Sequence, residues 1–182
     1  MERTKDRVGV AHALTGHCTD CPLGVQTAYL VGAGVNPYAP NLEEELRRFQ
    51  YKVEAGADFA VTQPVFQIEQ LAMFLERARS FAPHLPVIAG IWPLTSFRNA
   101  EFMNNEVPGI SVPPAVMERM RAADSGERAR QEGLKIAQET LLEIRALVQG
   151  VQIAAPFGRY ALAVEVAQAL GASRTATSPP QP

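Results

Sequence analysis

The chain has 182 residues, 47% of them hydrophobic and 20% charged, with a formal charge of −2. That suffices for one domain with its own core and is too apolar for a disordered chain. The near-neutral balance offers no basic footprint for nucleic acid, and no apolar run nears the roughly 18 residues of a membrane span. The N-terminal MERTKDRVGVAHALTG lacks the continuous apolar stretch of a signal peptide. Two cysteines cannot build a disulfide framework, so a reducing cytoplasm is expected.

From Thr27 onward, strand-like and helix-like stretches alternate. TAYLVGAGV (27–35) is apolar with little alternation, as expected for a strand buried on both faces. After the turn NPYAPN, Asn41 caps a helix LEEELRRFQYKVEAG whose apolar face is Leu42, Leu46, Phe49 and Val53. Glu43, Glu44 and Glu45 read as a solvated first turn that complements the helix dipole. FAVTQPVF (59–66) is the next strand, and the helix from Ile68 to Phe81 places Leu71, Phe74, Leu75 and Ala78 on one side. PVIAGIWPL (86–94) is the third strand.

A helix opening at Ser96 follows, then the proline-punctuated loop VPGISVPP. Two helical stretches come next, VPPAVMERMRAA and GERARQEGLKIAQETLLEIRALV, the second with Leu134, Ala137, Leu141, Ile144 and Leu147 in register. GVQIAAPF (150–157) is the fourth strand and RYALAVEVAQAL the last helix. The segment 172–182 is polar and proline-rich, with the composition of a disordered tail.

Four strand-then-helix units require parallel neighbours with helices outside, an α/β class. Eight such units close a (β/α) barrel in about 250 residues, so this order predicts half of one. A small open doubly wound sheet is the alternative.

In a parallel barrel, ligand-binding groups lie at the C-terminal ends of strands. Those ends carry Asn36, Thr62-Gln63, the stretch from Trp92 to Asn99, and Phe157-Gly158-Arg159. They are hydrogen-bonding and aromatic groups with few acids or bases, suited to a flat polar heterocycle. Each also reads as an ordinary loop residue, and Trp92 as barrel packing. No Ser-His-Asp order, H-E-x-x-H or P-loop occurs, and GAGVNP lacks the third glycine of a dinucleotide fingerprint. Cys18-x-x-Cys21 near His12 and His17 is a single pair without partner ligands, so no metal site is assigned. Arg47, Arg48 and Lys52 read as solvated surface or as cations for a diphosphate.

Three long strings carry a specific resemblance: KVEAGADFAVTQPVF, AGIWPLTSFRNAEFMNNEVPGISVP and LVQGVQIAAPFGRYALAVEVA. They resemble bacterial methylenetetrahydrofolate reductases, above all the reductase half of bifunctional proteins that also carry a homocysteine methyltransferase domain. The resemblance spans residues 26–171 and leaves 1–25 poorly matched. It implies the C-terminal half of a (β/α)8 barrel, with FAD over the strand ends and NAD(P)H as reductant. The implied reaction takes 5,10-methylenetetrahydrofolate to 5-methyltetrahydrofolate.

By position, the resemblance implies FAD contacts at Asn36, Ala39, Glu45, Arg48, Tyr51 and Lys52. It implies folate or nicotinamide contacts at Gln63, Asn99 and Arg159. Asn36 stands where some members have histidine, and Arg48 where some have asparagine. The family's general-acid glutamate and flavin-contacting aspartate lie on its first four strands, so no catalytic residue is assigned here. The implied partners are the folate, an N-terminal half-barrel or methyltransferase domain, and further copies in a homo-oligomer. Two function classes stay open: a flavoenzyme segment completed by another half, and a non-catalytic fragment or binding module.

Overall fold

A computed structural model of the chain describes residues 30–123 and 126–172. Four strands form one sheet in the order β1-β2-β3-β4: β1 (Gly32–Val35), β2 (Phe59–Pro64), β3 (Val87–Ile91) and β4 (Gly150–Ile153). All three neighbouring pairs are parallel. Between them run α1 (Leu42–Glu54), α2 (Ile68–Ala78) and the triplet α3 (Phe97–Glu106), α4 (Pro114–Ala122) and α5 (Gly126–Ile144). A 3₁₀ turn (Pro156–Gly158) and α6 (Tyr160–Ala172) follow β4.

The order is sequential, without the reversal that defines a doubly wound sheet, so that alternative is set aside. The helical core also lies against one face. Val35, Ala60, Val87, Ala89 and Ile91 point into a cluster with Phe49 of α1, Leu71 and Phe74 of α2, Leu141 and Ile144 of α5, and Val166 of α6. Phe49 stacks on Phe74 at 5.7 Å between ring centroids and meets Phe81 edge-on at 5.6 Å. A second cluster joins α3, α4 and α5 beyond the strand ends through Leu94, Ala100, Met103, Met120 and Ile136.

Helix starts follow the expected caps. The Asn41 side chain accepts from Glu44 N at 3.1 Å, and Ser96 Oγ accepts from Asn99 N at 3.0 Å. The strands are shorter than the apolar runs, and the reasons are local. The expected 27–35 strand begins its ladder at Gly32, because Val31 N donates to the Asp58 side chain at 2.8 Å instead of to a neighbouring strand. Residues 27–29 lie outside the described ones. The 59–66 strand stops at Pro64, the 86–94 strand at Ile91 ahead of Pro93, and the 150–157 strand at Ile153 ahead of Pro156. Proline has no N–H to give a ladder. The helix expected from Ile68 to Phe81 ends at Ala78. The Cys18–Cys21 pair and the proline-rich tail lie outside the described residues.

Candidate ligand site at the strand ends

The C-terminal ends of β2, β3 and β4, roofed by α3, enclose a cavity of about 470 Å³. Its polar walls are Thr62, Gln63, Asn99 and Gln152; its apolar walls include Ile91, Trp92, Phe102, Met103, Ile110 and Phe157. No ionisable side chain of the described residues lines it. The cavity therefore suits a neutral, flat, hydrogen-bonding ring system better than an anion.

Each polar wall has a structural reason for its position. Gln63 sits at an irregularity in β2: Val61 pairs with Ile88 and Pro64 with Gly90, so β2 carries one extra residue. Its carboxamide is exposed and makes no hydrogen bond among the described residues. Asn99 stands in the first turn of α3, is 9% exposed, and accepts from Thr95 N at 3.3 Å through Oδ1. Gln152 alternates on β4 with Val151 and Ile153, which face the helical core, so it faces the cavity side.

Two aromatic features stand out. Trp92 packs against the α3–α5 cluster and lines the cavity, so packing and ligand contact are both open to it. Its indole Nε1 is buried without a hydrogen-bond partner, the single such side-chain atom among the described residues. A buried orphan donor costs about 1–3 kcal/mol. Phe157, 78% exposed at the rim, adopts φ 57° and ψ 29°. That left-handed conformation costs a non-glycine residue about 1–2 kcal/mol.

The β1–α1 end is built differently. Asn36 N donates to Glu45 Oε1 at 2.9 Å, and Asn36 Oδ1 accepts from Tyr38 N at 3.0 Å. Glu45 is only 9% exposed, which corrects its reading as part of a solvated acidic turn. Its carboxylate closes the β1–α1 loop because the Asn36 N–H, past the end of the ladder, needs an acceptor there. The Asn36 carboxamide presses on Gly109, whose φ of +81° and lack of Cβ let the α3–α4 loop approach. Ala39 N donates to Asn36 O at 3.2 Å. Burial pushes the Tyr38 hydroxyl well above the ordinary phenol range, and that hydroxyl donates to Gln67 O at 3.1 Å.

Glu45, Arg48 and Lys52 share one face of α1, with Tyr51 beside them. Lys52 Nζ donates to the Gly34 carbonyl of edge strand β1 at 2.6 Å, and Arg48 is exposed. Of the nine residues singled out by resemblance, six gather at this end, and Gln63 and Asn99 meet in the cavity. Arg159 does not join them. It lines a separate crevice of about 470 Å³ between α5 and α6, with Glu127, Arg130 and Tyr160. The turn Pro156–Gly158 puts Phe157 toward one opening and Arg159 toward the other. Sequence reasoning missed Gln152 and Phe102; for Gln152, strand alternation carried the signal.

A sequential parallel sheet with helices on its outer face, and a polar-aromatic cavity at the strand ends, defines an α/β protein of the barrel type. The family model for methylenetetrahydrofolate reductase matches residues 27–165. The chain belongs to the methylenetetrahydrofolate reductase family.

Among its relatives, methylenetetrahydrofolate reductase 2 of Schizosaccharomyces pombe is 32% identical over 104 residues, covering 54% of this chain and 16% of that protein. The 5,10-methylenetetrahydrofolate reductase of Escherichia coli is 34% identical over 67 residues, covering 37% and 23%. These matches thus span less than a quarter of either relative. A solved structure from Clostridium thermocellum, of an uncharacterised protein that binds two copies of 5-methyl-5,6,7,8-tetrahydrofolic acid, has a similar fold. The TM-score is 0.59 at 19% identity, over 80% of this chain and 55% of that one. No described helix is long and apolar enough to cross a membrane.

Proposed function

We propose that the chain supplies the folate-facing part of a cytoplasmic, FAD-dependent methylenetetrahydrofolate reductase. The reaction takes 5,10-methylenetetrahydrofolate to 5-methyltetrahydrofolate at the expense of NAD(P)H. One observation carries the reading: within the family-matched span, three carboxamides, Gln63, Asn99 and Gln152, surround a single aromatic-walled cavity. A carboxamide donates and accepts at once, as the edge of a pterin requires. Phe102 and Phe157 offer faces for stacking.

The α1 face fits a flavin dinucleotide in part. Arg48 and Lys52 would offer cations to a diphosphate, and Tyr51 is half exposed beside them. Asn36 and Glu45 already hold each other, so their service to FAD is positional. When bound, flavin supplies the hydride relay between NAD(P)H and folate. The residues here bind and orient the ring systems and narrow the access of water to the cavity. Arg159, in its separate crevice, is left for the carboxylate tail of a folate long enough to pass Phe157.

No ionisable group among the described residues lines the cavity, which fits a proton donor supplied by a complementing half-barrel. The same fact supports a second reading, a folate-binding module without catalysis of its own. Complementation separates the two. With an N-terminal half-barrel co-expressed, the first reading expects a yellow protein that reduces methylenetetrahydrofolate. It also expects Gln63→Ala to lower folate turnover by a few-fold to about a hundredfold with FAD retained. Lys52→Ala should do the reverse, weakening FAD most at low salt, with the gap to the wild type closing as salt rises. Equal loss of both properties in both variants would refute the assigned roles. Stoichiometric FAD on the isolated chain after gel filtration would refute the need for a second half.

A further inference from the structure

The geometry points to Thr62 as the positioning residue of the cavity: its hydroxyl holds open the β-bulge that presents Gln63. The inference rests on the reading of Gln63 as folate-facing, and otherwise on β2 and β3 alone.

Along β2, the steps from Val61 to Pro64 are matched on β3 by the shorter run from Ile88 to Gly90. The extra residue falls in the segment Thr62–Gln63. An extra residue costs a ladder its regular hydrogen bonds, and the orphaned groups must find other partners. Here one buried side chain serves two of them. Thr62, 6% exposed, accepts from Gly90 N at 3.0 Å through Oγ1, taking the place of a backbone carbonyl. The same hydroxyl donates to Gln63 O at 2.7 Å. The ladder resumes at once, with Val65 N donating to Gly90 O at 2.9 Å.

Gly90 completes the device from the opposite strand. A Cβ there would lie 2.9 Å from Thr62 O and 3.3 Å from the Gln63 carbonyl carbon. Those are backbone atoms, which cannot swing aside as a side-chain tip would. The bulge is thus pinned from within by a hydroxyl and allowed from below by a missing side chain. Bulges re-aim side chains next to functional sites. Gln63 is the residue re-aimed, over the cavity, with its carboxamide unpartnered among the described residues. Valine at 62 keeps the shape of threonine but offers Gly90 N–H nothing. Serine keeps the hydroxyl.

The test uses the full chain, with Thr62→Val, Thr62→Ser, Gly90→Ala, Gln63→Ala and the Thr62→Val/Gln63→Ala double variant. Without ligand, Thr62→Val is expected to shift the Gln63 side-chain amide resonances and speed exchange of the Gly90 amide by roughly tenfold or more. Thr62→Ser should resemble the wild type in both. Gly90→Ala should displace the same Gln63 resonances, and it decides the matter should Thr62→Val fail to fold.

In calorimetric titration with 5-methyltetrahydrofolate, Thr62→Val should weaken binding roughly three- to tenfold. The double variant should bind no worse than Gln63→Ala, since the two residues act as one unit. Unchanged Gln63 resonances in the folded Thr62→Val or Gly90→Ala chain would overturn the proposal, as would additive losses in the double variant. A wild-type chain that binds no folate counts against the folate reading instead. The positioning of Gln63 is then decided by the resonances alone.

Discussion

The two ends of the sheet treat their polar side chains in opposite ways. At the β1–α1 end, Asn36, Glu45, Tyr38 and Lys52 are all engaged with the chain itself. At the β2–β4 end, the carboxamides of Gln63 and Gln152 face a cavity, and an indole N–H is buried without a partner among the described residues. The first end is a folded joint, and the second leaves its carboxamides open to the cavity. Polar residues at strand ends thus fall into two kinds, and hydrogen-bond engagement sorts them better than residue type does. Loop closure should reside at the first end and folate recognition at the second.

Glu45→Ala gives that contrast its hardest test. It leaves the Asn36 N–H without its acceptor in a part-buried loop, and bonds to charged groups contribute about 1.5–3 kcal/mol. The urea midpoint should fall accordingly, while 5-methyltetrahydrofolate affinity changes little. A change in affinity without a change in midpoint would reverse the assignment of the two ends.

Tyr38 sharpens the comparison with a smaller effect. Its buried hydroxyl resists ionisation in the folded state, whereas an unfolded tyrosine loses its proton near pH 10. The unfolded chain then holds fewer protons than the folded one, so stability should decline as pH rises beyond about 10. Tyr38→Phe should lose about 1 kcal/mol at pH 8 and close that gap with the wild type at higher pH. Parallel urea titrations at the two pH values check this, and a gap that widens instead contradicts it.

Phe157→Gly should change stability least. Relief of the left-handed backbone is offset by the added freedom of glycine in the unfolded chain, leaving a balance within about 1 kcal/mol. Folate affinity should nevertheless drop, because an exposed ring at the rim is lost. Thermal denaturation alongside calorimetry would expose any other pattern.

Much of the fold was legible in the sequence because its signals are local. Asn41 and Ser96 cap the expected helices, and the stripes through Leu46–Phe49 and Leu71–Phe74 bury as their spacing requires. Strand order followed from crossovers alone. What stayed hidden depends on partners distant in sequence. Thr62-Gln63 reads as unbroken strand until Gly90 is set beside it, a separation of 28 residues for the Thr62–Gly90 bond. Glu45 looks like any first-turn acid until the Asn36 N–H arrives. Arg159 and Phe157 lie two residues apart, and the backbone reversal at Phe157 that sends them into different crevices leaves no pattern of residue types.

The chain contains one tryptophan, and it stands in the wall of the cavity. Its emission therefore comes from a single place, in the cavity that Gln63 and Asn99 also line. An indole whose N–H is buried without a partner among the described residues reports on any hydrogen-bond acceptor or water that reaches it. The protein is thus built with its own optical probe: the colour of its ultraviolet fluorescence should follow occupancy of the cavity without a label or a substitution.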